Sequence, residues 1–197
     1  LSQGITDEEG ALAVKAAREA MEAHVERRDP EVELPGGFQR KGGAFVTLHE
    51  HPRNTLRGCI GFPEPVFSLG ESIMRAAAAV CEDPRFPPLS PEETDKVIVE
   101  VSVLTVPQPI EATAEEIPGT IEIGRDGLIL EKGHARGLLL PQVPAEWGWD
   151  AEEFLRNLSR KAGLGSEDWR DAAILRFESA VFTEVEPRGG IVRRGGP

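Results

Sequence analysis

Residues 97–104, Val-Ile-Val-Glu-Val-Ser-Val-Leu, constrain the fold more than any other stretch of the chain. Strand alternation puts Val97, Val99, Val101 and Val103 on one face and Ile98, Glu100, Ser102 and Leu104 on the other. A segment this apolar on both faces is predicted at the centre of a sheet. Glu100 in its middle carries a desolvation cost unless a partner satisfies it. An ion pair with Arg57 would meet that need, and so would use as an acid–base group. Ser102, on the same face, extends the polar patch.

The other elements follow from local signals. Thr6 and Glu9 form a capping box before a helix whose inner face is read as Leu12, Ala13, Ala16, Ala17, Ala20, Met21 and His24. Asp29-Pro30 stops it. A hairpin pairs Ala44–His49 with Leu56–Ile60 through His51-Pro-Arg-Asn54. Ser68 and Glu71 open a second helix that runs through the alanines at 76–79, and Asp83-Pro84 ends it. Asp83-Pro-Arg-Phe-Pro-Pro-Leu89 is a rigid loop. A further hairpin is predicted over Ile121–Glu131, turning at Arg125-Asp126-Gly127, followed by a short buried run at Leu138–Leu140. Asp150 and Glu153 start the last helix, with Phe154, Leu155, Leu158 and Ala162 inward and Gly163 at its end. Ala173–Phe177 and Ala180–Glu186 are read as two closing strands. The order is not regularly βαβ, which favours α+β: a mixed, largely antiparallel sheet with flanking helices.

The stretch with the most chemistry is Leu56-Arg-Gly-Cys-Ile-Gly61. A thiol stands between two glycines, which permit close backbone approach, and two residues after an arginine. In an uninterrupted strand Arg57, Cys59 and Gly61 share a face, and a neighbouring guanidinium favours a thiolate. Cys59 is then a candidate nucleophile, with Arg57 as its stabiliser and Glu100 as acid–base or orienting group. The competing reading is a small buried hydrophobe between packing glycines. His49 falls opposite Leu56 or nearby, about 10 to 14 Å from Cys59, too far to serve as its base. Arg85 on its rigid loop suits a carboxylate or phosphate. Gly58, Gly61, Arg85, Ser102 and Gln142 complete the candidate ligand-binding set. Trp147, Trp149 and Trp169 are read as packing the last helix.

Several chemistries lack their patterns. No Cys-x-x-Cys or His-Glu-x-x-His spacing supports a metal site, and the glycine pairs lack phosphate-loop or dinucleotide spacing. No Gly-x-Ser-x-Gly elbow occurs. A net charge of -12 disfavours a phosphate-tracking surface. Arg188, Arg193 and Arg194 gather in what reads as a Gly-rich tail over 188–197. With 197 residues and 40% hydrophobic content, the chain is read as one domain with a sizeable core. Two cysteines and no signal-peptide pattern point to the cytoplasm, and no apolar run nears the length a membrane helix needs.

Seven blocks together resemble the AMMECR family, whose prokaryotic members include AmmeMemoRadiSam system protein A. They are Ala44–Leu48, Leu56–Gly61, Asp83–Phe86, Val99–Thr105, Ile123–Leu128, Leu139–Val143 and Lys161–Leu164, in the family's order and spanning most of residues 10–187. The resemblance implies one continuous chain forming a larger and a smaller lobe, with the Leu-Arg-Gly-Cys-Ile-Gly block in the cleft between them. It also implies partners in a modification pathway, a Memo-like protein and a radical S-adenosylmethionine enzyme. The chain lacks a Cys-x-x-x-Cys-x-x-Cys motif and is not read as the radical component. Two functions are expected: an enzyme or enzyme subunit using Cys59, or a non-catalytic scaffold presenting the same cleft. The cofactor is unassigned.

Overall fold

The computed structural model describes residues 5–194. The described residues divide into two compact units, 5–104 with 180–194 and 105–179. The fold is α+β, with antiparallel pairing throughout the assigned registers.

In the first unit α1 (Asp7–Glu26) starts at the predicted capping box: the Glu9 N–H donates to Thr6 Oγ1 and the Thr6 N–H to the Glu9 carboxylate. Its buried face includes Ala13, Val14, Ala17 and Met21, whereas Leu12 turns outward. Strand β1 (Ala44–Glu50) pairs with β2 (Thr55–Phe62), and α2 (Leu69–Val80) follows with the Ser68 side chain capping it. Strand β3 (Val97–Leu104) is buried along its whole length. It lies between β1 and β7 (Ala173–Glu184), in the order β2-β1-β3-β7. The central position read from the valines is therefore the one observed.

The register explains the two-faced strand. Val99, Val101 and Val103 stand beside Leu48, Val46 and Ala44. These join Ala13, Ala17, Met21, Ile73 and Ala77 of the two helices in one core. Each fully buried Val or Leu contributes about 1.5–3 kcal/mol through removal of apolar surface. Gly10 of α1 is glycine for the same packing: a Cβ there would lie 2.2 Å from the Phe182 ring.

Arg18 ties these elements at one end of the sheet. Its guanidinium donates to the carbonyls of Thr94 and Val97, each at 2.8 Å, and pairs with the buried Glu184 carboxylate. Glu184 also accepts the Val99 N–H at 2.9 Å.

Residues 173–179 of β7 belong to the second unit and residues 180–184 to the first. The two predicted closing strands are thus one, because nothing at Glu178-Ser179 interrupts the extended backbone. Its first part pairs with β4 (Gln108–Pro109) and with β5 (Asp126–Lys132). Strand β5 turns at Gly133-His134 into β6 (Ala135–Leu139). The hairpin expected over Ile121–Glu131 is displaced, because Asp126 is buried and accepts the Glu122 N–H, making 122–126 a turn before the strand. The short helix α3 (Ile117–Thr120), α4 (Gln142–Trp147) and α5 (Ala151–Lys161) complete this unit. Phe154, Leu155, Leu158 and Trp169 pack with Leu128 and Leu130.

Residues Ile191–Arg194 of the expected tail form β8, which pairs with β7 at Val181–Glu184. Residues 195–197 lie outside the described residues. Among the described residues no helix is long and apolar enough to cross a membrane.

Replacing Arg18 by Met leaves the Glu184 carboxylate buried without its cation. It should cost about 3–5 kcal/mol in urea unfolding. The double variant Arg18→Met/Glu184→Leu should recover part of that loss. A single variant within experimental error of wild type would remove Arg18 as the tie.

Candidate functional site

The face of the first unit's sheet away from α1 and α2 is built in rows. The register aligns Cys59 with Thr47 and Thr47 with Glu100, so the three stand side by side across β2, β1 and β3. The next rows carry Gly61, Phe45 and Ser102 on one side and Leu56, His49 and Ile98 on the other.

One residue breaks the alternation. Leu48 pairs with Gly58 but His49 pairs with Leu56, so Arg57 is the extra residue of a β-bulge. The expected shared face of Arg57 and Cys59 is lost there. Arg57, only 6% exposed, donates to both Glu93 carboxylate oxygens and to the Pro87 carbonyl, at 2.8, 3.2 and 2.9 Å. Its partner is therefore Glu93 and not Glu100. The guanidinium in turn holds the Glu93 carboxyl below its usual range. Arg57 fastens the start of β2 to the loop after α2.

The two glycines of the block have close-approach roles on opposite faces. A Cβ on Gly58 would meet Val80 Cγ2 at 2.9 Å and its carbonyl oxygen at 3.0 Å. On Gly61 it would fall 2.2 Å from the Phe45 ring.

Strand β2 is the edge of the sheet, and its outward backbone groups at Cys59 are both capped. The Cys59 N–H donates to Asp83 Oδ2 at 2.9 Å, and Arg85 Nη2 donates to the Cys59 carbonyl at 3.2 Å. Asp83 and Arg85 are themselves paired: Nη2 meets Oδ2 at 2.6 Å, and Nε and the Arg85 backbone N–H each meet Oδ1 at 3.0 Å. This guanidinium, helped by the Cys59 N–H, holds the buried Asp83 carboxyl far below the ordinary carboxylate range. Arg85 is pushed the other way, first by its bond to Asp83. Asp83-Pro-Arg-Phe86 is the segment already identified as a rigid loop. Its rigidity lets one dipeptide-spaced ion pair imitate a neighbouring strand.

The half-buried thiol receives a further polar contact, since Thr47 Oγ1 donates to Cys59 Sγ at 3.3 Å. Thr47 carried no signal as a single residue; it emerges from the hairpin register, which puts it opposite Cys59. Glu100 shares the row, but Thr47 stands between, and two strand spacings separate the Cα atoms of Cys59 and Glu100 by about 10 Å. The Glu100 carboxylate lies 3.2 Å from Arg194 Nη1 and 3.9 Å from His49 Nε2. The Arg194 contact is an ion pair without hydrogen-bond geometry, and among the described residues neither Glu100 Oε2 nor His49 Nδ1, both buried, has a hydrogen-bond partner. Ser102 is buried in the adjoining row beside Phe45. Gln142 belongs to the second unit, as the half-buried first residue of α4. Among the described residues no three His, Cys, Asp or Glu side chains are grouped to hold a metal ion.

A family model described as AMMECR1 matches residues 14–182. A protein of Thermococcus gammatolerans is 50% identical over 199 residues, covering 96% of this chain and 97% of its own. A Methanocaldococcus jannaschii protein is 48% identical with the same shares covered. The crystal structure of an uncharacterized protein from Pyrococcus horikoshii superposes with a TM-score of 0.88 at 47% identity, over 98% of this chain and 99% of that one. Extending over nearly the whole chain, these likenesses agree with the motif blocks: the chain belongs to the AMMECR1 family.

Proposed function

We propose that the protein is a thiol-dependent enzyme, or a subunit of one, whose reacting group is Cys59. The observation that carries this reading is the clamp on that residue. Both peptide groups flanking its Cα are held by the Asp83–Arg85 pair while a hydroxyl donates to its sulfur. A packing cysteine needs none of this, as the second thiol demonstrates. Cys81 is 2% exposed, its sulfhydryl faces the Ala77 and Met21 carbonyls, and burial pushes its pKa up to about 12. Cys59 instead is half-buried and has a hydroxyl donor on its sulfur, a contact a reacting thiol can use. In this proposal Thr47 and Arg85 take the stabilising role first read onto Arg57. Glu100, beside His49, is kept as an acid–base group two strands along the row, with Thr47 between. A reacting substrate would bridge the two.

The partners implied by the family resemblance, a Memo-like protein and a radical S-adenosylmethionine enzyme, belong to the same proposal. Two cysteines in the chain are too few for the three thiolates of a radical cluster, so that chemistry would come from the partner.

One observation favours a second reading, a scaffold that binds without catalysis. Gly58 and Gly61 are explained by packing alone, and a Cys between them is then the small residue that fits. Cys59→Ala separates the two. A large loss of stability supports the scaffold, whereas a variant that keeps its fold and loses turnover supports the enzyme; normal folding with retained partner binding excludes a required packing role.

Alkylation of the native protein near pH 7 should modify Cys59 alone and at least about tenfold faster than an unstructured peptide thiol. Cys81 should label only after denaturation. Thr47→Val should slow the Cys59 reaction several-fold. A rate equal to that of the peptide, or a thiol inert until unfolding, would overturn the nucleophile reading.

The clamp also has a pH signature. The folded-state pKa of Asp83 is depressed, so its contribution to stability is present above the unfolded value of about 3.9. It is lost as pH falls below that value through the depressed folded one. Asp83→Asn should therefore lower the unfolding midpoint at neutral pH and flatten its decline below about pH 4. An acid limb parallel to that of wild type would show that the carboxylate carries no such load.

A further inference from the structure

We propose that the first unit binds a small apolar amide in the cavity between the β1–β2 turn and β8. The cavity measures about 340 Å³, the size of a small-molecule site. Every residue that lines it belongs to the first unit. Ile98, Val185 and Val192 give it an apolar wall, and His51 and Asn54 reach it from the turn. Arg194 comes from the strand that the sequence alone reads as a tail. Val185 and Val192 are exposed, so the wall is open to an apolar body.

The head group of the ligand follows from Arg194 and the acid behind it. Arg194 lines the cavity and sets its Nη1 3.2 Å from Oε2 of Glu100, a residue only 9% exposed. This pair leaves its hydrogen bonds unspent. Glu100 Oε2 is a buried acceptor without a partner, and the Arg194 guanidinium makes no hydrogen bond among the described residues. A buried acceptor left this way carries a desolvation cost that a donor relieves. A carboxylate ligand would be repelled by Glu100, and an ammonium by Arg194. A neutral carboxamide avoids both, because its carbonyl accepts from the guanidinium while its N–H donates to Oε2. Oε2 lies below the surface, so the N–H reaches it as the exposed Arg194 side chain shifts aside. The other carboxylates that line the cavity are engaged. Glu50 accepts the Thr55 hydroxyl at 2.6 Å, and Glu184 accepts from Arg18 and from the Val99 N–H. Glu100 acts here in recognition, and the assignment stands whether or not Cys59 reacts.

The test titrates the whole protein with isocaproamide and follows backbone amide NMR signals, using isocaproate and isoamylamine as the matched acid and amine. Shifts at the cavity, Asn54 and Val192 among them, should saturate with the amide. The acid and the amine should each bind at least about fivefold more weakly at neutral pH. Arg194→Met should weaken the amide about tenfold. Glu100→Gln removes the repulsion, so the acid should gain about fivefold and overtake the amide. Saturation away from the cavity, or none at all, would overturn the proposal, as would equal binding of the three ligands by wild type. An Arg194→Met variant that binds the amide as wild type does would do the same. The spectra report the fold of each variant. Should Arg194→Met disturb it, the three-ligand comparison on wild type and the reversal in Glu100→Gln decide the outcome.

Discussion

The first unit depends on the complete burial of one strand. Because β3 has no solvated face and no free edge, it needs hydrogen-bonded strands on both sides and apolar partners for its valines. Those needs set β1 and β7 beside it and bring α1 and α2 onto the valine face. They also fix the register of the opposite face, since a slip of one residue would exchange the two. The row Cys59, Thr47, Glu100 is a consequence of that register. The position of the candidate site is thus determined by core packing on the far side of the sheet.

A strand edge exposes unpaired N–H and C=O groups, and proteins cover them. At Cys59 the cover is an ion pair and not another strand, which gives the edge a chemical consequence. An aspartate accepting the N–H and an arginine donating to the carbonyl hold the backbone as a ladder would, while the thiol keeps its own contact with Thr47. Edge protection and thiol placement are one device here. Arg57, displaced by its bulge, serves the same end by fixing the strand to the loop that carries the pair.

What was legible in the sequence follows from the range of the interactions. Helix starts at Thr6, Ser68 and Asp150 were readable because a cap is satisfied within three residues. The β1–β2 hairpin and the centrality of β3 were readable from alternation. The bulge at Arg57 was not, since the two-residue period carries no mark of an inserted residue. Its partner Glu93 lies 36 positions away. The strand at Ile191–Arg194 was hidden by flanking glycines; only pairing with β7 makes it extended. In the site, Cys59 and the Asp83-Pro-Arg-Phe86 loop were each visible, but nothing local says that the loop caps the strand. Thr47 was visible only as one more strand residue.

The same net charge bears on partners in two opposite ways. A value of -12 lowers the general attraction expected toward a polyanion such as nucleic acid. It equally draws cationic segments toward the surface, without choosing where they bind. Specificity must then come from a feature that charge alone does not supply. Arg170 on Trp169 and Arg75 on Phe67 show that, in this chain, guanidinium groups settle where a ring and a carboxylate coincide. Both of those coincidences are filled from within the chain.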